Sequence, residues 1–220
     1  MASEDGEEFS KRLRVRDTDE IKVIENVEKP EDSEKPETSV PPTQNPITFN
    51  DINGHWASNE IKLFANKGYI NGYEDGTFRP NDGITRAEFV KIFNKVFGLT
   101  TTSGKVFDDT KNHWAKTEID IAVTNGVCIG KSETKFNPND KLTREEAAKM
   151  IANYKNISDK NYDKLNKYKD KDDVSSWAKD AIEAVLEQGY MIGKTENTLE
   201  PKSNTTRAEA IVLLSRIINN

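Results

Sequence analysis

Apolar residues recur at helical spacing in three stretches: Phe89, Ile92, Phe93, Val96 and Phe97; Ala147, Met150, Ile151 and Tyr154; Ala210, Leu213, Leu214, Ile217 and Ile218. Steps of three and four residues place each set on one face of a helix, the face that must be buried. Each stretch opens with Thr-Arg-x-Glu, running Thr85 to Glu88, Thr143 to Glu146 and Thr206 to Glu209. A threonine followed three residues later by glutamate is a capping box, in which each side chain satisfies the other residue's free backbone N–H. Upstream of each lies a second helical stretch, starting near Trp56, Trp114 or Trp177 and ending at Gly68, Gly126 or Gly189. Glycine there accepts the left-handed conformation of a C-terminal cap.

These elements belong to an internal repeat. Sliding residues 49–97 forward by 58 superposes Phe49 on Phe107, Asp51 on Asp109, and His55-Trp56-Ala57 on His113-Trp114-Ala115. The same shift puts Gly68 on Gly126, Gly72 on Gly130, Phe78 on Phe136, Pro80 on Pro138 and Thr85-Arg86 on Thr143-Arg144. A further shift of 63 carries Trp114 to Trp177, Gly126 to Gly189, Gly130 to Gly193, Pro138 to Pro201 and Thr143-Arg144 to Thr206-Arg207. Three units follow, at 47–100, 105–156 and 167–220, each a helix, a loop carrying the second glycine and a Phe-x-Pro or Leu-x-Pro element, and a second helix. A two-helix hairpin cannot enclose its own core, so the expected fold is mostly α, with the three units packed about a pseudo-threefold axis and grooves between neighbours.

The first 46 residues read differently. Residues 1–28 mix charge with short β-like alternation and read as an upstream remnant. Residues 29–46, KPEDSEKPETSVPPTQNP, are too poor in apolar side chains to order themselves and are expected to form a disordered linker. Residues 1–46 hold 13 acidic and 7 basic residues, and residues 47–220 hold 25 of each, so the net charge of −6 sits in the N-terminal segment. A repeat module that sums to zero lacks the basic excess of a nucleic-acid binder. No run of about 18 apolar residues is present, which predicts no membrane insertion, and no apolar leader core is visible; if the module is secreted, this chain is a fragment or mature form. The single Cys128, between Val127 and Ile129, excludes an intramolecular disulfide framework, and no Cys/His cluster suggests a metal.

Arginine usage is the strongest chemical signal. Residues 47–220 contain 20 lysines but only 5 arginines, three of which, Arg86, Arg144 and Arg207, share one repeat position. A cation in the first helical turn opposes the positive end of the helix dipole, so something must offset it. One reading is an anion held jointly by the helix N-terminus and the forked guanidinium. The other is a buried arginine bridging to a glutamate or to loop carbonyls.

The tryptophans admit two roles as well, the apolar floor of a sugar site or an anchor in the core, and the usual burial of large apolar surface favours the core. His55 and His113 lack partners for catalysis or metal binding, and unit three has Ser176 instead, so a capping or hydrogen-bonding role is expected. The Glu74-Asp75-Gly76 and Asn81-Asp82-Gly83 clusters and Asp170 to Asp173 do not fit an EF-hand loop and read as turns. Thr85, Thr143 and Thr206 have no recurring base beside them and read as caps rather than nucleophiles.

Taken together, F-x-D, HWA, the paired glycines, F-x-P and I/L-T-R-x-E resemble the S-layer homology domain, a family usually found as triplets, over about residues 47–220. The resemblance implies a non-enzymatic module, without cofactor, that anchors surface proteins of Gram-positive bacteria to a peptidoglycan-linked secondary wall polysaccharide, often bearing pyruvate ketals. It implies that Arg86, Arg144 and Arg207 reach this ligand in inter-repeat grooves, with Thr85, Thr143 and Thr206 at the helix mouths. It also implies that Gly68, Gly126 and Gly189 let loop backbone approach the sugar, with Trp56, Trp114 and Trp177 as further candidate contacts. The expected assembly is a monomeric pseudo-trimer, located in the cell wall or S-layer.

Unit two departs from the pattern with Glu145 in place of alanine, an added carboxylate expected to weaken anion binding beside Arg144. Unit three departs most, with Tyr168, Ser176 and Leu199, and its groove is expected to be weakest; one or two of the three grooves should bind strongly. Two other functions compete with anchoring. One is a protein-interaction or self-assembly scaffold that uses the same grooves for acidic peptides. The other is a hydrolase, for which no pair of acidic residues stands out.

Overall fold

The Thr-Arg-x-Glu motifs nucleate helices as their side chains require. The structure is a computed structural model that describes residues 47–220; the upstream remnant and linker expected at 1–46 lie outside the described residues. Six helices form in order: α1 (Ser58–Asn66), α2 (Arg86–Phe97), α3 (Lys116–Thr124), α4 (Arg144–Lys155), α5 (Lys179–Glu187) and α6 (Arg207–Asn219). In α2 the Glu88 N–H donates to Thr85 Oγ1 at 3.2 Å and the Thr85 N–H donates to Glu88 Oε2 at 2.8 Å. The same reciprocal pair closes the N-termini of α4 and α6.

The first helix of each unit ends two residues before its glycine. Gly68, Gly126 and Gly189 have φ of 73°, 73° and 69°, the left-handed region. In unit one the Gly68 N–H donates to Ala65 O and the Tyr69 N–H to Phe64 O, both at 2.9 Å, which satisfies carbonyls that the helix end would otherwise orphan.

Each unit buries its apolar faces against its neighbours. The second helix of one unit packs on the first helix of the next: α2 on α3, α4 on α5, and α6 back on α1. The ring therefore closes, and one continuous core runs through it, with Phe64, Phe78, Phe89, Phe93 and Phe136 fully buried.

Closure is most explicit at the axis. The Leu142 N–H donates to Ile84 O at 3.0 Å, the Thr205 N–H to Leu142 O at 2.8 Å, and the Ile84 N–H to Thr205 O at 2.9 Å. These three residues occupy one repeat position, so the three bonds form a cycle that defines the pseudo-threefold axis. Among the described residues, extended structure amounts to three isolated bridges around this axis.

Linkers between units are tied down by carboxylates at one repeat position. Asp120 of α3 accepts from the Ser103, Gly104 and Lys105 N–H groups, and Glu183 of α5 accepts from the Lys164 and Leu165 N–H groups.

Candidate functional site

The three arginines lie at the junctions between units. Arg86, Arg144 and Arg207 are 4%, 6% and 6% exposed, and each reaches from the start of its helix into the loop of the next unit around the ring. Arg86 donates from Nε to Phe136 O at 3.1 Å and from Nη2 to Ile129 O at 3.2 Å. Arg144 repeats this with Leu199 O at 2.8 Å and Ile192 O at 2.7 Å. Arg207 donates to Phe78 O at 2.9 Å and, in place of the second carbonyl, to Glu88 Oε1 at 3.3 Å. The guanidinium of Arg86 lies 4.5 Å from the Phe136 ring centre and that of Arg207 4.6 Å from Phe78. Burial lowers the pKa values of Arg86 and Arg144 from the ordinary arginine range. The planar fork suits this bracing role, and a lysine would serve only one of the two carbonyls.

The acceptor carbonyls are themselves fixed. Asp51, the aspartate of F-x-D, accepts from the Phe78 N–H at 2.8 Å and the Arg79 N–H at 2.7 Å. Asp109 clamps Phe136 and Asn137 in the same way, and Asp170 clamps Leu199 and Glu200. These clamps hold Arg79, Asn137 and Glu200 at φ of 58°, 58° and 54°, a left-handed conformation costly for non-glycine residues. Burial raises the Asp109 and Asp170 pKa values, but the backbone donors outweigh it and hold both carboxyls below the usual range. The sequence pattern contains these aspartates without revealing what they hold, because their partners lie 27 to 30 residues away.

The first N–H donors of α2, α4 and α6 already have protein acceptors. In α2 the Arg86 N–H donates to Asp140 O and the Ala87 N–H to Pro138 O, both at 3.0 Å, while the Glu88 N–H is taken by Thr85. The same donors of α4 go to Ser203 O and Pro201 O, and those of α6 to Asp82 O and Pro80 O. The joint helix-terminus and guanidinium site anticipated from sequence is therefore corrected: neighbouring loop carbonyls consume the helix donors, and the Thr85, Thr143 and Thr206 side chains are caps.

Beside each arginine lies a groove built from three units. Groove one has its floor on unit one, with Gly72, Tyr73, Glu88 and Lys91, receives Arg207 from unit three and Trp114 from unit two, and encloses about 340 Å³. Groove two, on unit two, has Gly130, Lys131, Glu146 and Lys149 with Arg86 and Trp177, about 440 Å³. Groove three, on unit three, has Gly193, Lys194, Glu209 and Arg216 with Arg144 and Trp56, about 290 Å³. Each contains three cationic side chains and one carboxylate, a formal excess of +2 in a chain of net charge −6.

The tryptophans are not core residues, as their size suggests, but stand 62%, 58% and 49% exposed at positions 56, 114 and 177. The same exposed aromatic surface thus recurs at the mouths of all three grooves. Gly68, Gly126 and Gly189 line none of these three grooves. The second glycines do, and they are sterically obligatory: a Cβ on Gly130 would lie 2.4 Å from Ser132 O and 2.5 Å from the Phe107 ring. Gly72 and Gly193 are equally tight, at 2.4 Å from the Phe49 ring and from Thr195 O.

Several other candidates have structural partners. His55 and His113 accept the Ala57 and Ala115 N–H groups at Nδ1 and face Asn81 and Asn139 at Nε2, the capping role expected. Glu145 does not crowd the Arg144 groove; it is 4% exposed and holds the Ser175 N–H and hydroxyl and the Lys202 ammonium, stapling unit two to unit three. Cys128 is buried on the floor of groove two, and burial pushes its thiol up to about 12 despite Arg86 nearby.

A cyclically closed ring of three helical hairpins, with a braced arginine, an exposed indole and excess positive charge in each inter-unit groove, is a binding module. The model of the S-layer homology domain matches at 48–90, 106–148 and 167–211, and the chain belongs to that family. The surface-layer 125 kDa protein of Lysinibacillus sphaericus is 33% identical over 176 residues, covering 78% of this chain and 15% of that protein. The amylopullulanase of Thermoanaerobacterium thermosulfurigenes is 31% identical over 178 residues, 76% of this chain and 9% of the relative. A cellulosome-anchoring protein of Acetivibrio thermocellus is 32% identical over 162 residues, 67% of this chain and 35% of the relative. The chain thus spans a small part of each relative's length. It is a cell-surface anchoring module associated with the cell wall. No helix among the described residues is long and apolar enough to cross a membrane.

Proposed function

We propose that the module attaches its parent protein to the wall without a covalent bond, by binding an anionic secondary wall polysaccharide in the inter-repeat grooves. The observation that carries this reading is the repetition, three times, of an exposed indole beside a braced arginine in a groove of formal charge +2. A sugar presents an apolar face to an indole and hydroxyls to polar walls, and a carboxylate on that sugar, such as a pyruvate ketal, meets the cations.

Arg86, Arg144 and Arg207 serve both fold and ligand in this scheme: carbonyls hold Nε and Nη2 of Arg86 and Arg144, which leaves Nη1 for the groove, while in Arg207 a carbonyl holds Nε and Glu88 holds Nη1. Trp56, Trp114 and Trp177 supply the stacking surface. Thr85, Thr143 and Thr206 act by capping, and Gly68, Gly126 and Gly189 by ending the first helices. Glu145, held by Ser175 and Lys202, leaves the Arg144 groove competent. Several grooves on one polymer add avidity beyond the affinity of any single groove.

The test is co-sedimentation of the full chain with purified Gram-positive cell walls, before and after removal of the secondary polymer, alongside a Trp56→Ala/Trp114→Ala/Trp177→Ala variant. Polymer-dependent pelleting, lost in the variant, is the expected result. Pelleting that survives both polymer removal and substitution would overturn the proposal in favour of a protein-contact scaffold.

A further inference from the structure

Groove one differs from the other two at three coupled positions. Unit one has Asn71, Tyr73 and Arg79 where unit two has Ile129, Lys131 and Asn137, and unit three has Ile192, Lys194 and Glu200. Lys131 pairs with Glu146 and Lys194 with Glu209, so in grooves two and three each carboxylate has a lysine partner. The arginine Nη1 atoms stand back, at 3.9 Å from Glu146 and 3.8 Å from Glu209. An arriving carboxylate there meets an arginine and a lysine around one already neutralised glutamate.

Groove one is wired otherwise. With Tyr73 at the lysine position, Glu88 draws Arg207 in to 3.3 Å, so ligand and glutamate must compete for that guanidinium. The other two cations of the groove have partners as well: Lys91 Nζ lies 5.2 Å from the Trp114 ring centre and Lys95 Nζ donates to Gly68 O at 3.2 Å. Tyr73 is 36% exposed, with the Arg79 guanidinium 3.9 Å and that of Arg207 5.1 Å from its ring centre. Arg79 is held in turn by Asp75 at 2.9 Å. Asn137 and Glu200 have no side chain able to stack on an aromatic ring as a guanidinium does, so the Tyr73 and Arg79 replacements belong together.

We propose that Tyr73 sets a second specificity: groove one takes a sugar without an acidic substituent, while grooves two and three take acidic sugars of the same polymer. Trp114 provides the apolar surface, and the Asn71 amide and Tyr73 hydroxyl provide hydrogen-bond groups suited to uncharged hydroxyls. The inference rests on the polysaccharide-binding reading above. It gives the module a purchase on the polymer that does not depend on how completely the polymer is acidified.

The test uses the full chain and a wall polymer released from Gram-positive walls with hydrofluoric acid, either intact or with its carboxyl groups reduced to alcohols. Wild-type protein should bind the reduced polymer measurably but at least tenfold more weakly than the intact one. Lys131→Gln/Lys194→Gln, which retains a donor for each glutamate, should bind both polymers alike, at the reduced-polymer level. Adding Tyr73→Lys to that pair should restore a tenfold preference for the intact polymer, and adding Tyr73→Ala should abolish the residual binding. The inference is overturned if the double variant keeps the wild-type preference for the intact polymer, or if Tyr73→Lys leaves the preference unchanged in variants whose thermal melts show them folded. Failure of wild-type protein to bind the intact polymer at all would instead overturn the polysaccharide reading, and this one with it.

Discussion

Replacing Arg86 with alanine removes a brace as well as a candidate ligand contact, and the two roles have different signatures. The guanidinium donates to Phe136 O and Ile129 O and packs against the Phe136 ring, all across the junction between units one and two. Truncation leaves both carbonyls without that donor. An unsatisfied buried acceptor costs about 1–3 kcal/mol, but the Ile129 carbonyl borders the groove and regains water, so the total should be about 2–4 kcal/mol. For a module of this size each kcal/mol shifts the midpoint by about 2–4 °C, which gives a fall of roughly 4–16 °C. Arg86→Lys should recover only part of the loss, since an ammonium on a flexible stem does not reproduce the fork. Thermal unfolding followed by far-ultraviolet circular dichroism reads both values. A midpoint for Arg86→Ala within about 1 °C of wild type would refute the bracing role.

Other perturbations probe separate links. Gly130→Ala places a Cβ 2.4 Å from Ser132 O and 2.5 Å from Phe107, so the loop must shift; we expect at least about 2 kcal/mol of destabilisation in urea titration, whereas Gly104→Ala, with open space around it, should cost only its positive-φ strain of about 1 kcal/mol. Thr205 is 1% exposed, and its hydroxyl has no hydrogen-bond partner among the described residues, at an axis position where the other units have Ile84 and Leu142. Thr205→Val should therefore raise stability by about 1 kcal/mol, and an equal loss would show that the hydroxyl is satisfied. Asp109, Asp120 and Asp170 have folded pKa values below their ordinary ones, so their contribution is present above about pH 4 and lost as the pH falls below it. The urea midpoint should hold from pH 7 to about 4.5 and drop by pH 3; an unchanged midpoint at pH 3 would show that the loop and linker clamps contribute nothing.

Local chemistry made the helices readable, and distance hid the rest. Thr85, Thr143 and Thr206 with their glutamates are complete capping boxes within four residues, and the glycines after α1, α3 and α5 have a purely local backbone reason, so both are legible without a structure. The register of the three units likewise predicts a pseudo-threefold ring, which the Ile84–Leu142–Thr205 cycle makes concrete. A repeat imposes the same residue on each copy whether its partner lies inside the unit or in the next one, so Arg86 reads equally well as ligand contact or as brace. Its partners stand 43 and 50 positions away. Trp56, Trp114 and Trp177 mislead because size predicts burial on average, whereas these indoles sit at grooves where three units meet. Glu145 misleads in the opposite direction: its neighbour in sequence is Arg144, but its neighbours in space are Ser175 and Lys202.

If ligand occupies the grooves, the three tryptophans, one per groove and the only ones in the chain, report on it directly. Acrylamide quenching of intrinsic fluorescence, measured as soluble wall polymer is titrated into the full chain, is the most direct measurement. Polymer binding should shield the indoles, lowering the quenching constant at least twofold and saturating with the binding isotherm. Polymer binding of undiminished affinity that leaves quenching unchanged would contradict it, and would move the ligand off the inter-repeat grooves altogether.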